Sequence, residues 1–211
     1  DVYKRQMYYT YNDKIKQYEI FKHLKLPYIS TYIAFNRKKA LQILNKTKKY
    51  PLVTKDPYGA SGCEVELVKN KTELKKIINK TFPPNYSGEK AQLYLQNFIP
   101  NMLGDLRIIT IGNKIAAAYW RRNKNDWRHN IYQGAEYDFV NIPKSALDFC
   151  LKISKSQKFH WMSYDLFILP NGKIKLIEWS CNFGSKAPMK VGIDIRKLIS
   201  EYIINYLNKK L

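Results

Sequence analysis

Asp165 and Glu178 lie in two apolar segments, SYDLFIL and KIKLIEWS, with Pro170-Asn171-Gly172 midway between them. Six residues separate Asp165 from Asn171 and six separate Gly172 from Glu178, so a hairpin turning there sets the two carboxylates opposite each other. Two carboxylates held side by side among apolar neighbours need a cation to neutralise them. Mg²⁺ suits such a pair: it takes one or two carboxylates and leaves positions for phosphate oxygens. The other reading leaves both acids in water on the polar face of the hairpin, and spacing alone does not choose.

Three further stretches bear on chemistry. In KDPYGASG, residues 55–62, Gly59, Ser61 and Gly62 can make a turn whose backbone N–H groups wrap an anion, with Lys55 at its start. The spacing is not that of a P-loop, so a Walker-type NTPase is excluded, and a plain hairpin turn is the alternative. Four of the chain's seven Arg (Arg107, Arg121, Arg122 and Arg128) fall within 22 residues, in a chain otherwise rich in Lys. Arg is the residue for planar, bidentate binding of carboxylate or phosphate. Ion pairs with Asp105 and Asp126 would also account for it. Last, NDWRHNIYQG at 125–134 follows a strand and is too polar for a core. Its His129 is the one His of the three carried forward, because His23 and His160 show no ligand spacing and read as helix surface and packing.

These residues need elements to position them. Asn12 or Asp13 can cap a helix running to about Leu24, and YISTYIAF after Pro27 reads as a strand. A second helix, RKKALQILNKTKK, is followed by strands YPLVTKD and EVELV around the Gly turn. KTELKKIINKTF is a third helix, with Thr72 as its cap. QLYLQNFI, DLRIITIG and KIAAAYWRR are strands, the last two joined tightly at Gly112-Asn113. SALDFCLKISKSQKF is a helix, and the hairpin of Asp165 and Glu178 follows it. The final helix starts at Asp194 and repeats apolar residues from Ile195 to Leu207 at i, i+3, i+4, i+7 spacing. Hairpin-linked strands with interspersed helices make an α+β fold with antiparallel sheets.

Composition narrows the function. The 211 residues suffice for one domain with a core or two lobes, and 45% are hydrophobic. The formal charge is +20, but 30 of the 37 basic residues are Lys scattered over what read as solvated helix faces. With no zinc-finger or RNA-binding motif, a dedicated nucleic-acid binder is disfavoured. No apolar run approaches the roughly 20 residues of a membrane span. Cys63, Cys150 and Cys181 form neither a disulfide framework nor a metal motif, which points to a cytoplasmic protein. Residues 1–12 lack an initiator Met and a signal-peptide core, and are expected to be an unstructured or artificial leader to a gene fragment.

In this order the pieces resemble the ATP-grasp ligases, within them the ribosomal-protein glutamate ligase (RimK) type, over residues 13 to 205. PLVTKDPYGASGCEV is similar to the family's strand, phosphate-covering Gly loop and returning strand, and YLQNFIP to its hinge. GDLRIITIGNKIAAAYWRRNKNDWRHNIYQGA is the most specific match, with its D-x-R, paired Arg and Arg-x-Asn. YDLFI and KLIEWSCNFG resemble the metal strands, and GID at 192–194 the start of the last helix.

The resemblance implies an ATP-grasp fold of two α+β lobes enclosing a nucleotide cleft, the N-terminal lobe at 13–90 and the C-terminal lobe at 91–211. It implies a carboxylate–amine ligase that uses ATP and Mg²⁺, or Mn²⁺ in its place; the alternatives are an ATP-binding module without ligase activity and a phosphotransferase of the same fold. The reaction would run through an acyl-phosphate, on small-molecule or peptide acids and amines. Lys14, Lys55, Gly59, Ser61, Gly62 and Asp105 would meet the nucleotide, and Gln96, Asn97 and Phe98 would form the hinge against adenine. Arg128 and Asn130 would reach the phosphates and acyl-phosphate, and Arg107 and Arg121 would face the substrate. Asp165 and Glu178 would hold metal, with Ser180 or Asn182 giving the third oxygen where the family has Asn at Ser180. Glu64 stands where a Gly is usual, and the family's preceding substrate-side domain has no counterpart here. The expectation is therefore a fragment, or a minimal member that binds its acceptor differently.

Overall fold

The computed structural model describes residues 13–59, 64–85, 91–102, 104–129 and 134–209. These form two compact units, one within Asn12–Asn101 and one within Met102–Leu211. Both are α+β with purely antiparallel sheets, as the strand pattern implied.

In the first unit, α1 (Lys14–His23) is capped by Asp13, whose carboxylate accepts from Lys16 N at 3.0 Å. Asn36 caps α2 (Arg37–Lys46) in the same way. The cap of α3 (Lys71–Thr81) is Asn70, not Thr72: Asn70 Oδ1 accepts from Glu73 N at 3.0 Å, while Glu73 Oε2 accepts from Lys69 N at 2.7 Å. The short Asn side chain reaches the third amide, and the Glu returns to the amide just ahead of the cap, much as in a capping box. Strands β1 (Thr31–Ala34), β2 (Leu52–Lys55), β3 (Val65–Val68) and β4 (Leu93–Asn97) lie in the order β1-β4-β2-β3. Leu44, Leu52, Leu74, Ile78, Phe82 and Leu95 fill the core with α2 and α3. Because β4 pairs with both β1 and β2, this unit runs to 101 and not to the boundary expected near 90. QLYLQNF reads as the start of a new lobe because nothing local reveals its distant partners.

The second unit holds β5 (Asp105–Ile111), β6 (Lys114–Arg122), β7 (Glu136–Asp138), β8 (Trp161–Ile168) and β9 (Ile174–Ser180), in the order β7-β6-β5-β8-β9. Helix α4 (Lys144–Ser156) covers one face. There Ser154 Oγ shares short contacts with Thr110 Oγ1 (2.7 Å) and Tyr164 Oη (2.6 Å), so three buried hydroxyls satisfy one another. On the other face Ile109, Ile111, Ala117 and Tyr119 pack under the short α5 (Lys186–Met189) and α6 (Ile195–Asn208). Helix α6 is capped by Asp194, as the sequence indicated. That face is apolar only at the α6 end. Its other end carries charge.

The β5–β6 turn is tied to both neighbours. Gly112 has φ +57°, its N–H donates to His160 O at 2.6 Å, and an added Cβ would meet Tyr202 Cε2 at 2.8 Å. Gly112→Ala is expected to destabilise the protein by about 1–3 kcal/mol through a strained backbone and a displaced ring. Urea unfolding measures this, and an unchanged midpoint would refute the contact with α6.

Candidate active site

Register decides which side chains share the charged end of the five-stranded sheet. Asp105 pairs with Arg121 and Arg107 with Tyr119 across β5–β6, while Arg107 pairs with Asp165 across β5–β8. Asp165 pairs with Glu178 and Ser163 with Ser180 across β8–β9. Directly paired residues point to the same face, so Asp105, Arg107, Arg121, Asp165 and Glu178 all do. The two carboxylates expected to face each other across the last hairpin do so. The register slips just beyond them, after Asp165, which returns Leu166 and Leu176 to the opposite, fully buried face.

Two guanidiniums hold the acids together. Arg107 Nε and Nη2 donate to Asp165 Oδ1 and Oδ2, both at 2.7 Å. Arg121 Nε and Nη2 donate to Asp105 Oδ1 and Oδ2, both at 2.6 Å, and Nη2 also reaches Asp165 Oδ2 at 2.6 Å. The Arg121 side chain is 6% exposed and that of Arg107 is 19% exposed. Arg121 is thus a clamp between two acids, and Arg107 is the arginine nearer solvent.

Burial separates the two acids. It pushes Asp105 up to about 6, against the pull of Arg121 and helped by the negative charge of Asp165. Burial acts on Asp165 too, but Arg107 and Arg121 together overcome it and hold that carboxyl well below the usual range.

Several expected residues lie in the first unit. The Lys14 ammonium donates to Gly59 O, and Lys14 N donates to Pro57 O at 3.0 Å, which fixes the start of the Gly turn. An added Cβ at Gly59 would lie 2.6 Å from Glu64 Oε2, which would have to swing away, and 3.0 Å from Asp56 Cβ. Glu64, flagged for occupying a usual Gly position, therefore leans over Gly59. Lys55 ends β2 opposite Val65 and Tyr94. The Gln96 side chain is buried and donates to Tyr94 Oη (2.9 Å) and Thr31 Oγ1 (3.2 Å), so it braces the sheet and is not offered to a ligand. Asn97 N donates to Ser30 O at 2.9 Å and Phe98 N to Pro51 O at 3.4 Å. Ser61, Gly62 and Asn130 lie outside the described residues.

The polar loop after β6 is built on its own side chains. Asn123 Oδ1 accepts from Asn125 N (3.0 Å) and Asp126 N (3.1 Å), and Asn123 Nδ2 donates to Arg128 O at 3.1 Å. Asp126 Oδ1 accepts from Arg128 N at 2.8 Å, while the Arg128 guanidinium turns back onto the same carboxylate at 2.7 Å. Both ion pairs proposed as the alternative for the arginine cluster, Arg121–Asp105 and Arg128–Asp126, are therefore present. Arg122 points away from the site face, stacks on Trp120 and pairs with Asp138 at 2.7 Å. Asp138 and strand β7 escaped the sequence pattern, because three residues are too few to show alternation.

The donors here fit a hard divalent cation through two carboxylates. Asp165 Oδ2 already accepts two bonds and Oδ1 one, so a lone pair remains on Oδ1. Glu178, half-buried, forms no ion pair among the described residues. Ser180, expected with Asn182 as the source of the third ligand oxygen, turns its hydroxyl onto its own backbone: it donates to Asn182 O at 2.6 Å and accepts from Asn182 N at 3.1 Å. No group of three or more His, Cys, Asp or Glu gathers in metal-binding fashion among the described residues. Mg²⁺ needs only one or two carboxylates when phosphate and water complete its shell.

The second unit carries a sheet face lined with paired carboxylates and arginines, and the fold and relatives of the chain are those of the ATP-dependent carboxylate–amine ligases built on the ATP-grasp fold. Residues 11–203 match the RimK-like ATP-grasp domain, and the chain belongs to that family. Coenzyme gamma-F420-2:alpha-L-glutamate ligase of Methanococcus maripaludis is 26% identical over 200 residues, covering 94% of this chain and 68% of that protein. The alpha-aminoadipate–LysW ligase LysX of Sulfurisphaera tokodaii is 28% identical over 138 residues, 65% of this chain and 47% of that one. Among solved structures, a RimK-domain ATP-grasp protein from Sphaerobacter thermophilus superposes with a TM-score of 0.68 at 16% identity, over 95% of this chain and 69% of the other. That likeness carries the fold.

The acid pair makes a titration testable. Asp105 titrates near 3.8 when unfolded and near 6 when folded, so its folded form holds the extra proton between those values. Stability from this group therefore falls as pH rises through about 4 to 6, by up to about 3 kcal/mol. Asp165 is ionised in the folded state throughout, and adds an opposite slope only near pH 4, where its unfolded carboxyl still binds protons; the difference between the two proteins removes that contribution. The unfolding free energy of wild type minus Asp105→Asn is expected to decline over that window, and a flat difference would mean Asp105 is an ordinary carboxylate.

Proposed function

We propose that this chain joins a carboxylate to an amine through an acyl-phosphate made from ATP, with an amino acid or peptide among its substrates. The observation that carries the proposal is the Asp165–Glu178 pair on one sheet face, with Arg107 and Arg121 already bound to Asp165. When bound there, Mg²⁺ (or Mn²⁺) supplies positive charge to the ATP phosphates. The relatives' names describe ligation of glutamate or aminoadipate, which supports an amino acid as one partner.

In this proposal Lys14 holds the Gly59 turn in the shape that lets its backbone amides meet phosphate, and Lys55 adds charge. The start of the polar loop, with Arg128 and Asn130, faces the transferring phosphoryl group. Arg121 keeps Asp165 ionised and aimed, because its Nε and Nη2 donate to Asp105 and Asp165. Arg107, the more exposed of the pair, stabilises the oxyanion when the amine attacks. Asp105 then acts through Arg121 and does not contact nucleotide directly. A cytoplasmic location belongs to the same proposal: Cys150 and Cys181 are buried free thiols, and no described helix is long and apolar enough to cross a membrane.

A second reading is an ATP-binding module that does not ligate, favoured by the Ser180 hydroxyl turned onto its own backbone. The experiment that separates the two incubates the chain with ATP, Mg²⁺ and pooled amino acids and peptides. Ligation yields ADP and a product lighter than its two reactants by one water, detected by mass spectrometry. Nucleotide-dependent thermal stabilisation with no such product would select the second reading. Glu178→Gln is expected to lower product formation on the order of 100-fold, about 3 kcal/mol of barrier, with an unchanged melting temperature. Wild-type turnover in that variant would remove Glu178 from the metal site.

A further inference from the structure

His129 is buried to 5% exposure, and its Nδ1 has no hydrogen-bond partner among the described residues. A buried imidazole nitrogen without a partner carries a desolvation cost that the fold does not recover, and such groups concentrate where chemistry needs an open acceptor. The ring stands edge-on to Phe167, 6.1 Å between centroids at 84°. Phe167 is two residues along β8 from Asp165 and so shares its face. His129 also lies within the electrostatic reach of Arg121. Its place is therefore the charged end of the β5–β9 sheet, beside the arginine clamp.

Amide formation needs a proton acceptor there. An amine arrives at neutral pH as an ammonium and has no lone pair to attack with. As its nitrogen bonds to the acyl carbon, the C–O bond to phosphate breaks and phosphate leaves with that electron pair. The nitrogen gives up two protons in all, one of which ends on phosphate. The other requires a base. Asp105 and Asp165 are bound to Arg107 and Arg121, Asp126 is bound to Arg128, and the proposal above assigns Glu178 to the metal. Arginines are protonated throughout.

We propose that His129 is the general base that takes this proton from the incoming amine and passes it to solvent, an inference that rests on the ligase reading. Its surroundings suit the role. Burial lowers its proton affinity below the ordinary histidine value, and Arg121 from β6 adds to that, outweighing Asp126 in its own loop. Lys175, across the ladder from Phe167 on β9, adds positive charge on that side. The imidazole is therefore neutral near pH 7, with one nitrogen open to accept. Arg128 and Asn130 flank it in sequence, so the loop that would hold the acyl-phosphate also delivers the base.

Hydroxylamine, largely unprotonated at neutral pH, provides the test, because it attacks acyl-phosphates without first losing a proton. With the acid found in the pooled screen, His129→Asn is expected to lower amide formation from the natural amine roughly 100-fold or more, while hydroxamate formation stays within about threefold of wild type. The wild-type amide rate is expected to fall with pH as His129 protonates, and the variant to lose that limb. Equal loss of both products would mean a structural role and overturn the proposal, as would an unchanged amide rate. Wild-type chain that yields neither amide nor hydroxamate would overturn the ligase reading itself. Independently of turnover, the imidazole resonance absent from His129→Asn is expected to titrate below the ordinary histidine value, and titration above it would overturn the assignment.

Discussion

The Arg121 guanidinium lies between Asp105 and Asp165, and the rest of the second unit is organised to let it stay there. Taking two carboxylates and a guanidinium out of water costs several kcal/mol per ion, which mutual attraction offsets only if the bonds are short and none is left unmade. Here Arg121 bonds to both acids at 2.6 Å and Arg107 completes Asp165 from the neighbouring strand. Two positive and two negative groups sum to zero charge. Removing Arg121 would leave the buried Asp105 carboxylate without its ion pair, at a cost of about 3–5 kcal/mol. An apolar core of the same volume would be as stable or more so. A charged cluster on a sheet face otherwise filled by Ile109, Ile111 and Ala117 is thus better explained by what it does than by what it stabilises.

The same sheet face serves two purposes because its strands are long enough to be divided. Toward the β5–β6 turn, α5 and α6 close over aliphatic and aromatic side chains, and Tyr202 of α6 reaches His160 Nδ1 at 2.8 Å. Toward the start of β5, side chains of the same parity become Asp105 and Arg107. Nothing in the backbone changes between the two ends. The division is written in side-chain identity alone, with β5 supplying acid, arginine and isoleucines at alternate positions of DLRIITI. The reverse face, sealed by α4 and the Ser154 hydroxyl cluster, holds the sheet rigid beneath.

Much of this was legible in the sequence where the signal was local. The pairing of Asp165 with Glu178 agrees with the count to Asn171-Gly172, although the ladder beside the turn alone would set Asp165 opposite Ile177 and the slip after Asp165 brings Glu178 there. The Gly112 turn, a cap at Asn12 or Asp13 and the start of the last helix at Asp194 were legible because each is a local signal. What escaped depended on distant partners. Strand β4 joined the first unit through pairing with β2, about forty residues away, and with β1, about sixty residues away. Gln96 read as part of a ligand-facing hinge, yet its amide is held by Tyr94 and Thr31. The arginine cluster was visible as a departure from the chain's use of Lys. Whether its members met acids or ligands was a matter of tertiary contact, and for Arg121 both roles converge on holding Asp165.

Ser180 shows how one substitution can redistribute a site without dissolving it. An amide side chain at that position would extend past the backbone and present a carbonyl oxygen, whereas a hydroxymethyl group is too short and closes instead onto Asn182. That contact organises the bend after β9, so its loss would cost order there and gain only a weak ligand. A cation at this sheet edge must then rely on Asp165, on Glu178, and on the phosphate and water oxygens around it. Such a site is weak when empty of nucleotide and strong when ATP brings its own oxygens. For the proposed ligase the consequence would be coupling: metal and nucleotide would bind as a pair, and Arg107 and Arg121 neutralise Asp165 without either.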